Sequence, residues 1–180
     1  LSINSGGFPE PYTFGKRIKK VLSNDIDKYD IVHDNQSLCY ELLDFQKQKP
    51  LVTTIHHPIS KDLKYQLQST NDIFLKLLMR RWHSFLTMQK FVAKKLNKIL
   101  VPSKSSIVDI REEFGVKENK MERLMNGIDR EVFYPDPKVR KISRRIVTVA
   151  SADVPLKGLD FLLKALFKLI KIYPDISLSI

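Results

Sequence analysis

The sequence predicts an α/β protein built on parallel sheets with helices on both faces, and three observations carry that prediction. Short apolar segments of strand composition recur at residues 29–32, 51–55, 98–101 and 146–149. Each ends in a polar cluster: His33-Asp34-Asn35, His56-His57, Pro102-Ser103 and residues 150–157 respectively. Each cluster is followed by a segment of helical period. A repeated unit of strand, polar turn and helix implies right-handed crossovers between parallel strands, which bring every polar turn to one sheet edge. Ligands of such sheets bind outside the carboxyl ends of the strands, so these turns are where chemistry is expected.

The elements follow in order. Ser5-Gly6-Gly7-Phe8-Pro9-Glu10-Pro11 is a turn, in which glycine admits positive φ and proline removes a donor, and it leads into a basic helical stretch over residues 14–22. After the first strand, residues 37–47 place Leu38, Leu42 and Phe45 at helical spacing until Pro50 ends the run. The longest helical pattern covers residues 73–97, with Leu78, Trp82, Phe85, Val92 and Leu96 along one stripe. Its polar face carries Lys76, Arg80, Arg81, Lys90, Lys94 and Lys95, and no Asp or Glu lies between Ile73 and Lys98. Two readings follow: a core stripe with a solvated basic face, or an amphipathic helix in peripheral contact with an anionic membrane.

Ser103 suits the N-cap of a helix over residues 104–114, and Gly115 suits its C-cap. Residues 121–125 read as a short strand closing a first domain. The polar, proline-bracketed stretch from Asn126-Gly127 to Tyr134-Pro135-Asp136-Pro137 reads as a linker, which divides the chain into residues 1–134 and 135–180. A second strand–helix–strand unit then takes residues 145–150, 159–172 and 176–180, its helix stopped ahead of Pro174.

Composition narrows the classes. With 43% hydrophobic and 28% charged residues in 180, the chain is an ordinary globular one, too short for two complete doubly wound domains. It starts at Leu1 and stops at Ile180 within a strand-like run, so both ends read as truncated. A single Cys39 excludes an internal disulfide and fits a reducing, cytoplasmic compartment, possible contact with the inner face of a membrane included. No apolar run approaches the roughly 20 residues that span a bilayer. A net charge of +11 attracts phosphate groups without selecting their carrier.

Four sets of residues are candidates for the site. The turn of residues 151–158, between strand and helix, offers backbone N–H groups and a helix dipole to an anion, with Ser151, Lys157 and Gly158 as its contact residues; a diphosphate is the natural guest. His56 directly follows its strand, where the ring can hydrogen-bond a sugar hydroxyl or shuttle a proton, while His57 points to the opposite side. His33, Asp34 and Asn35 offer donors and acceptors to a polyhydroxylated ligand. The four histidines lack metal-binding spacing and one cysteine makes no zinc site, so no metal is expected. GxSxG, GxxxxGK[ST] and GxGxxG are absent, which weakens hydrolase, P-loop and dehydrogenase readings.

Taken together, Val52-Thr53-Thr54-Ile55-His56, Val101-Pro102-Ser103-Lys104-Ser105-Ser106, Asn126-Gly127-Ile128-Asp129 with Phe133-Tyr134-Pro135, and Lys157-Gly158-Leu159-Asp160 resemble the family 4 glycosyltransferases in order and spacing. The resemblance implies the glycosyltransferase-B fold, with two facing Rossmann-like domains: an acceptor-side domain, partial here, and the start of a domain that binds a nucleotide sugar. It implies metal-independent, retaining sugar transfer to a glycan, lipid-linked or small-molecule acceptor, with the nucleotide sugar as co-substrate and no separate cofactor. By the same resemblance His56 lies near the transferred sugar, Lys157 binds the donor diphosphate, and Gly6 and Gly7 line the acceptor side. Where the family has Gly-Arg ahead of that lysine, this chain has Ser151-Ala152, which removes one cationic clamp. The family's paired glutamates would lie beyond Ile180, which implies that these 180 residues alone are inactive. The alternative is a noncatalytic basic module that binds nucleic acid or an anionic membrane through Arg80, Arg81, Lys94 and Lys95; under the transferase reading no nucleic acid is expected.

Overall fold

A parallel four-stranded sheet forms the centre of the first of two units, Leu1–Gly127 and Ile128–Ile180, into which the chain divides. The computed structural model describes residues 6–149 and 158–180. The first unit runs α1 (Glu10–Leu22), β1 (Val32–Asn35), α2 (Leu42–Gln48), β2 (Leu51–Thr54), α3 (Ile59–Gln68), α4 (Ile73–Trp82), α5 (Leu86–Lys95), β3 (Ile99–Val101), α6 (Lys104–Phe114) and β4 (Met121–Arg123). Its strands lie in the order β1-β2-β3-β4, all parallel, with Val32 opposite Leu51, Thr53 opposite Ile99 and Ile99 opposite Met121. Because every strand runs the same way, their carboxyl ends share one edge, as the strand–turn–helix pattern predicts.

Alternation fills the core. Leu51, Ile55, Ile99 and Val101 from the sheet pack with Leu42, Phe45, Met88, Val92, Leu96, Ile110 and Phe114 from the helices. Each such side chain contributes roughly 1.5–3 kcal/mol when fully withdrawn from water. The cluster holds β2 and β3 at the centre of the sheet, so the residues at the end of β2 rest on its most buried part.

Three expectations about elements are corrected. The first strand is displaced: pairing begins at Val32, whose N–H bonds the carbonyl of Pro50, and continues to Asn35. Pro50 has no N–H to extend the ladder backward, and forward pairing of His33, Asp34 and Asn35 with Val52, Thr53 and Thr54 places the polar triplet inside the strand instead of after it. The helical pattern at 37–47 yields a turn and then the shorter α2, because Gln36 and Leu38 take positive φ values of 61° and 50° that no helix admits. The long helix over 73–97 is broken between α4 and α5 by a 3-10 turn at His83–Phe85, where the His83 ring nitrogen lies 2.8 Å from the Met79 carbonyl oxygen. At the break Phe8 stacks on Trp82 at 4.7 Å between ring centroids and meets Phe85 edge-on at 6.0 Å. After the break α5 buries Leu86, Met88, Gln89, Val92 and Ala93, whereas α4 buries none of its residues.

The second unit contains β5 (Arg145–Val147), α7 (Leu159–Leu169) and β6 (Ser177–Ser179), with Ile146 opposite Leu178 in a parallel pair. It is the expected strand–helix–strand unit with shorter ends. The expected domain boundary after residue 134 falls inside it.

Candidate functional site

Two strand ends build the site in the first unit. Residues of one β-strand alternate between faces, so His33 and Asn35 lie on the open face of β1 while Asp34, only 7% exposed, lies on the buried one. Register places Asn35 opposite Thr54, and His56 follows Thr54 by two residues on the same face. The result is a diagonal row of polar groups: His33 Nε2 lies 2.8 Å from Thr54 Oγ1, and His56 Nε2 lies 2.8 Å from Asn35 Oδ1. Sequence reading singled out three of these four; Thr54 is the fourth, and its signal was its place in the period of two before His56.

The loop after β1 is unusually constrained. Among the described residues three non-glycine positions have positive φ, and two of them, Gln36 and Leu38, are here. A branched or bulky residue in that region is strained and persists only when its surroundings hold it. Asp34 supplies the hold. Its Oδ1 accepts from the Ser37 N–H at 3.1 Å and the Ser37 hydroxyl at 2.5 Å, and its Oδ2 from the Leu38 N–H at 3.4 Å. Burial pushes the Asp34 carboxyl above its ordinary pKa, and the bonds from Ser37 and Leu38 offset only part of that rise.

Gln36 ties this loop to the end of β2. Its Oε1 accepts the His56 N–H at 2.7 Å and its Nε2 donates to the His57 carbonyl at 2.8 Å. Sequence reasoning missed Gln36; the only signal was its position directly after a polar strand end. His57 turns the other way, as expected, with Nε2 3.0 Å from Asp62 Oδ2 in the first turn of α3. That helix was expected after the His56-His57 cluster but without bounds, since Ile59, Leu63 and Leu67 give it a sparse apolar stripe.

The remaining candidates fall elsewhere. Gly6 has φ 75°, and a Cβ there would come within 2.9 Å of Leu78 Cδ2, so it packs against α4; Gly7 is buried beside it. In the second unit Gly158 takes φ 74° immediately before α7, a conformation that glycine adopts without strain. Ser151 and Lys157 lie outside the described residues. Cys39 is buried, which raises its thiol pKa and keeps it an inert core residue. Among the described residues no group of three or more His, Cys, Asp or Glu could hold a metal ion. No helix of those residues is long and apolar enough to cross a membrane.

The family model for Glycosyltransferase Family 4 matches residues 3–132. Over 181 aligned positions, covering the whole chain, the sequence is 38% identical to an MMP alpha-(1->4)-mannosyltransferase of Mycolicibacterium hassiacum. The chain spans 43% of that protein's length. A four-stranded parallel sheet flanked by helices fits the Rossmann-like glycosyltransferase-B fold expected from the sequence, and the chain belongs to glycosyltransferase family 4.

Proposed function

We propose that the intact protein is a retaining glycosyltransferase that moves a hexose-like sugar, mannose in the first instance, from a nucleotide sugar to a glycan, lipid-linked or small-molecule acceptor. The observation that carries this reading is 38% identity along the entire chain to a protein named as a mannosyltransferase. In the reaction the acceptor oxygen bonds the anomeric carbon while the bond from that carbon to the diphosphate breaks. Negative charge grows on the departing diphosphate. The ammonium of Lys157, in the same sequence segment as Ser151 and Gly158, is the group of this chain suited to stabilise it, with no metal required. With Ala152 in place of arginine, Lys157 carries that load without a neighbouring guanidinium. His56, at the carboxyl end of β2, takes a hydroxyl of the transferred sugar, and His33 and Asn35 share its open face toward the acceptor.

Lys157→Ala in the intact protein tests the diphosphate role by calorimetric titration with a nucleoside-diphosphate mannose. Loss of one charge-assisted contact predicts affinity lower by roughly 10- to 100-fold. Unchanged affinity would contradict it.

A second reading, peripheral contact with an anionic membrane, is favoured by one feature of α4. Ile73 and Phe74 are 76% and 69% exposed, on the same helix as Lys76 and Arg80. This reading expects the protein to float with phosphatidylserine-containing vesicles and not with phosphatidylcholine alone, and Phe74→Ser to weaken flotation. Equal behaviour on both vesicles sinks it.

A further inference from the structure

We propose that Asn35 and Gln36 are positioning residues for His56, holding its imidazole as the Nε2–H tautomer so that Nδ1 is presented as an acceptor for a sugar hydroxyl. The proposal rests on the reading of His56 as the group that faces the transferred sugar.

The backbone comes first. Thr53 and Ile55 donate their N–H groups toward β3, to the carbonyls of Lys98 at 3.3 Å and Leu100 at 2.9 Å. Alternation therefore turns the N–H of His56 toward β1. A continuing β1 would meet it with a backbone carbonyl, but β1 ends at Asn35 and the chain departs through Gln36 at φ 61°. The side-chain amide of Gln36 takes the vacant place, accepting from His56 N–H at 2.7 Å and donating to the His57 carbonyl at 2.8 Å. An amide N–H only donates and a carbonyl only accepts, so these two partners set the orientation of the Gln36 amide without ambiguity. The peptide between His56 and His57 is thus clamped on both sides. The strained loop that delivers Gln36 is itself tied by Asp34 to Ser37 and Leu38.

The ring follows. Asn35 Oδ1 stands 2.8 Å from His56 Nε2, and a carboxamide oxygen accepts only, so the proton of the neutral ring resides on Nε2. Nδ1 then carries a lone pair, and no hydrogen-bond partner is seen for it among the described residues. His57 does not compete, since Asp62 holds its ring. The last residue of β1 and the first one after it therefore perform two tasks: Gln36 fixes the backbone, and Asn35 fixes ring angle and tautomer. Asn35 becomes a support for the group that meets the ligand. A hydroxyl donating to Nδ1 keeps its proton, which suits recognition of the sugar as opposed to deprotonation of it.

The test uses the intact protein labelled with 15N-histidine, with His56→Gln to assign the ring signals. Long-range proton–nitrogen spectra of the neutral ring report which nitrogen is protonated. Wild type is expected to show Nε2–H, Asn35→Ala a mixture of tautomers, and Asn35→Asp, which retains an oxygen acceptor, Nε2–H again. In Gln36→Ala the His56 amide should exchange with solvent about tenfold faster, while the Ile55 amide, bonded to β3, keeps its rate. Transfer by Asn35→Ala should fall about tenfold and recover in Asn35→Asp, a pattern that general loss of structure does not produce. A wild-type ring protonated on Nδ1, or Nε2–H undiminished in Asn35→Ala, overturns the positioning role. Undiminished transfer by His56→Gln overturns the underlying reading of His56 instead, so the two failures are distinguishable.

Discussion

Asp34 shows how much one position depends on which side of a strand it occupies. In the sequence it is the middle of a polar triplet suited to a sugar; in the fold its neighbours His33 and Asn35 face outward while its own carboxylate turns inward to cap loop amides. The types of all three residues are legible in the sequence. Their division of labour is not, because it depends on the triplet lying within the paired strand, where alternate side chains take opposite faces. Burial raises the Asp34 pKa above its unfolded value, so its contribution to stability is fully present below the unfolded pKa and is lost as pH rises through the folded one. Asp34→Asn removes that titration and retains an oxygen acceptor. Urea unfolding across the range from acid to neutral is expected to show stability shifting in favour of the variant as pH rises, by about 1.4 kcal/mol for each unit of elevation. A difference that stays constant with pH would refute the assignment.

At the scale of elements, what was legible is what is local. The caps of α6 were readable because each involves neighbours in sequence: Ser103 Oγ accepts the Ser106 N–H at 3.0 Å, and Gly115 takes φ 68° at the other end. Ser103→Ala is expected to destabilise the protein by about 1 kcal/mol. Gly115→Ala should cost roughly 1–2 kcal/mol through the left-handed backbone alone, with a further contact at 2.9 Å to Lys94 Cε, a flexible side-chain end that can yield. Denaturant midpoints check both, and unchanged midpoints would contradict them. By contrast the break between α4 and α5 is where Phe8 packs against Trp82 and Phe85, a contact far apart in sequence that a stripe of apolar positions cannot reveal. The single stripe expected over 73–97 divides at the break: Phe85 and the buried residues of α5 join the core, and α4 buries none of its own.

At the scale of the whole molecule, the repeated unit of strand, polar turn and helix predicted the parallel sheets because that periodicity belongs to the topology and not to any one residue. The motifs, each weak alone, gained their force from order along the chain; the family match over residues 3–132 takes in those at 52–56, 101–106 and 126–129, while 133–135 and 157–160 lie beyond it. The first unit carries His56 on a well-buried sheet, and the second offers Gly158 at the start of α7, whose Phe161 and Phe167 remain exposed over a two-stranded sheet. The most direct measurement is transfer of labelled mannose from a nucleoside-diphosphate mannose by the intact protein, offered a panel of glycan, lipid-linked and small-molecule acceptors, with wild type set beside His56→Ala. The account predicts transfer by the wild type and a fall in kcat/KM of about 100-fold or more in the variant, with thermal unfolding little changed. Equal rates in the two proteins, or no sugar transferred by either, would contradict it.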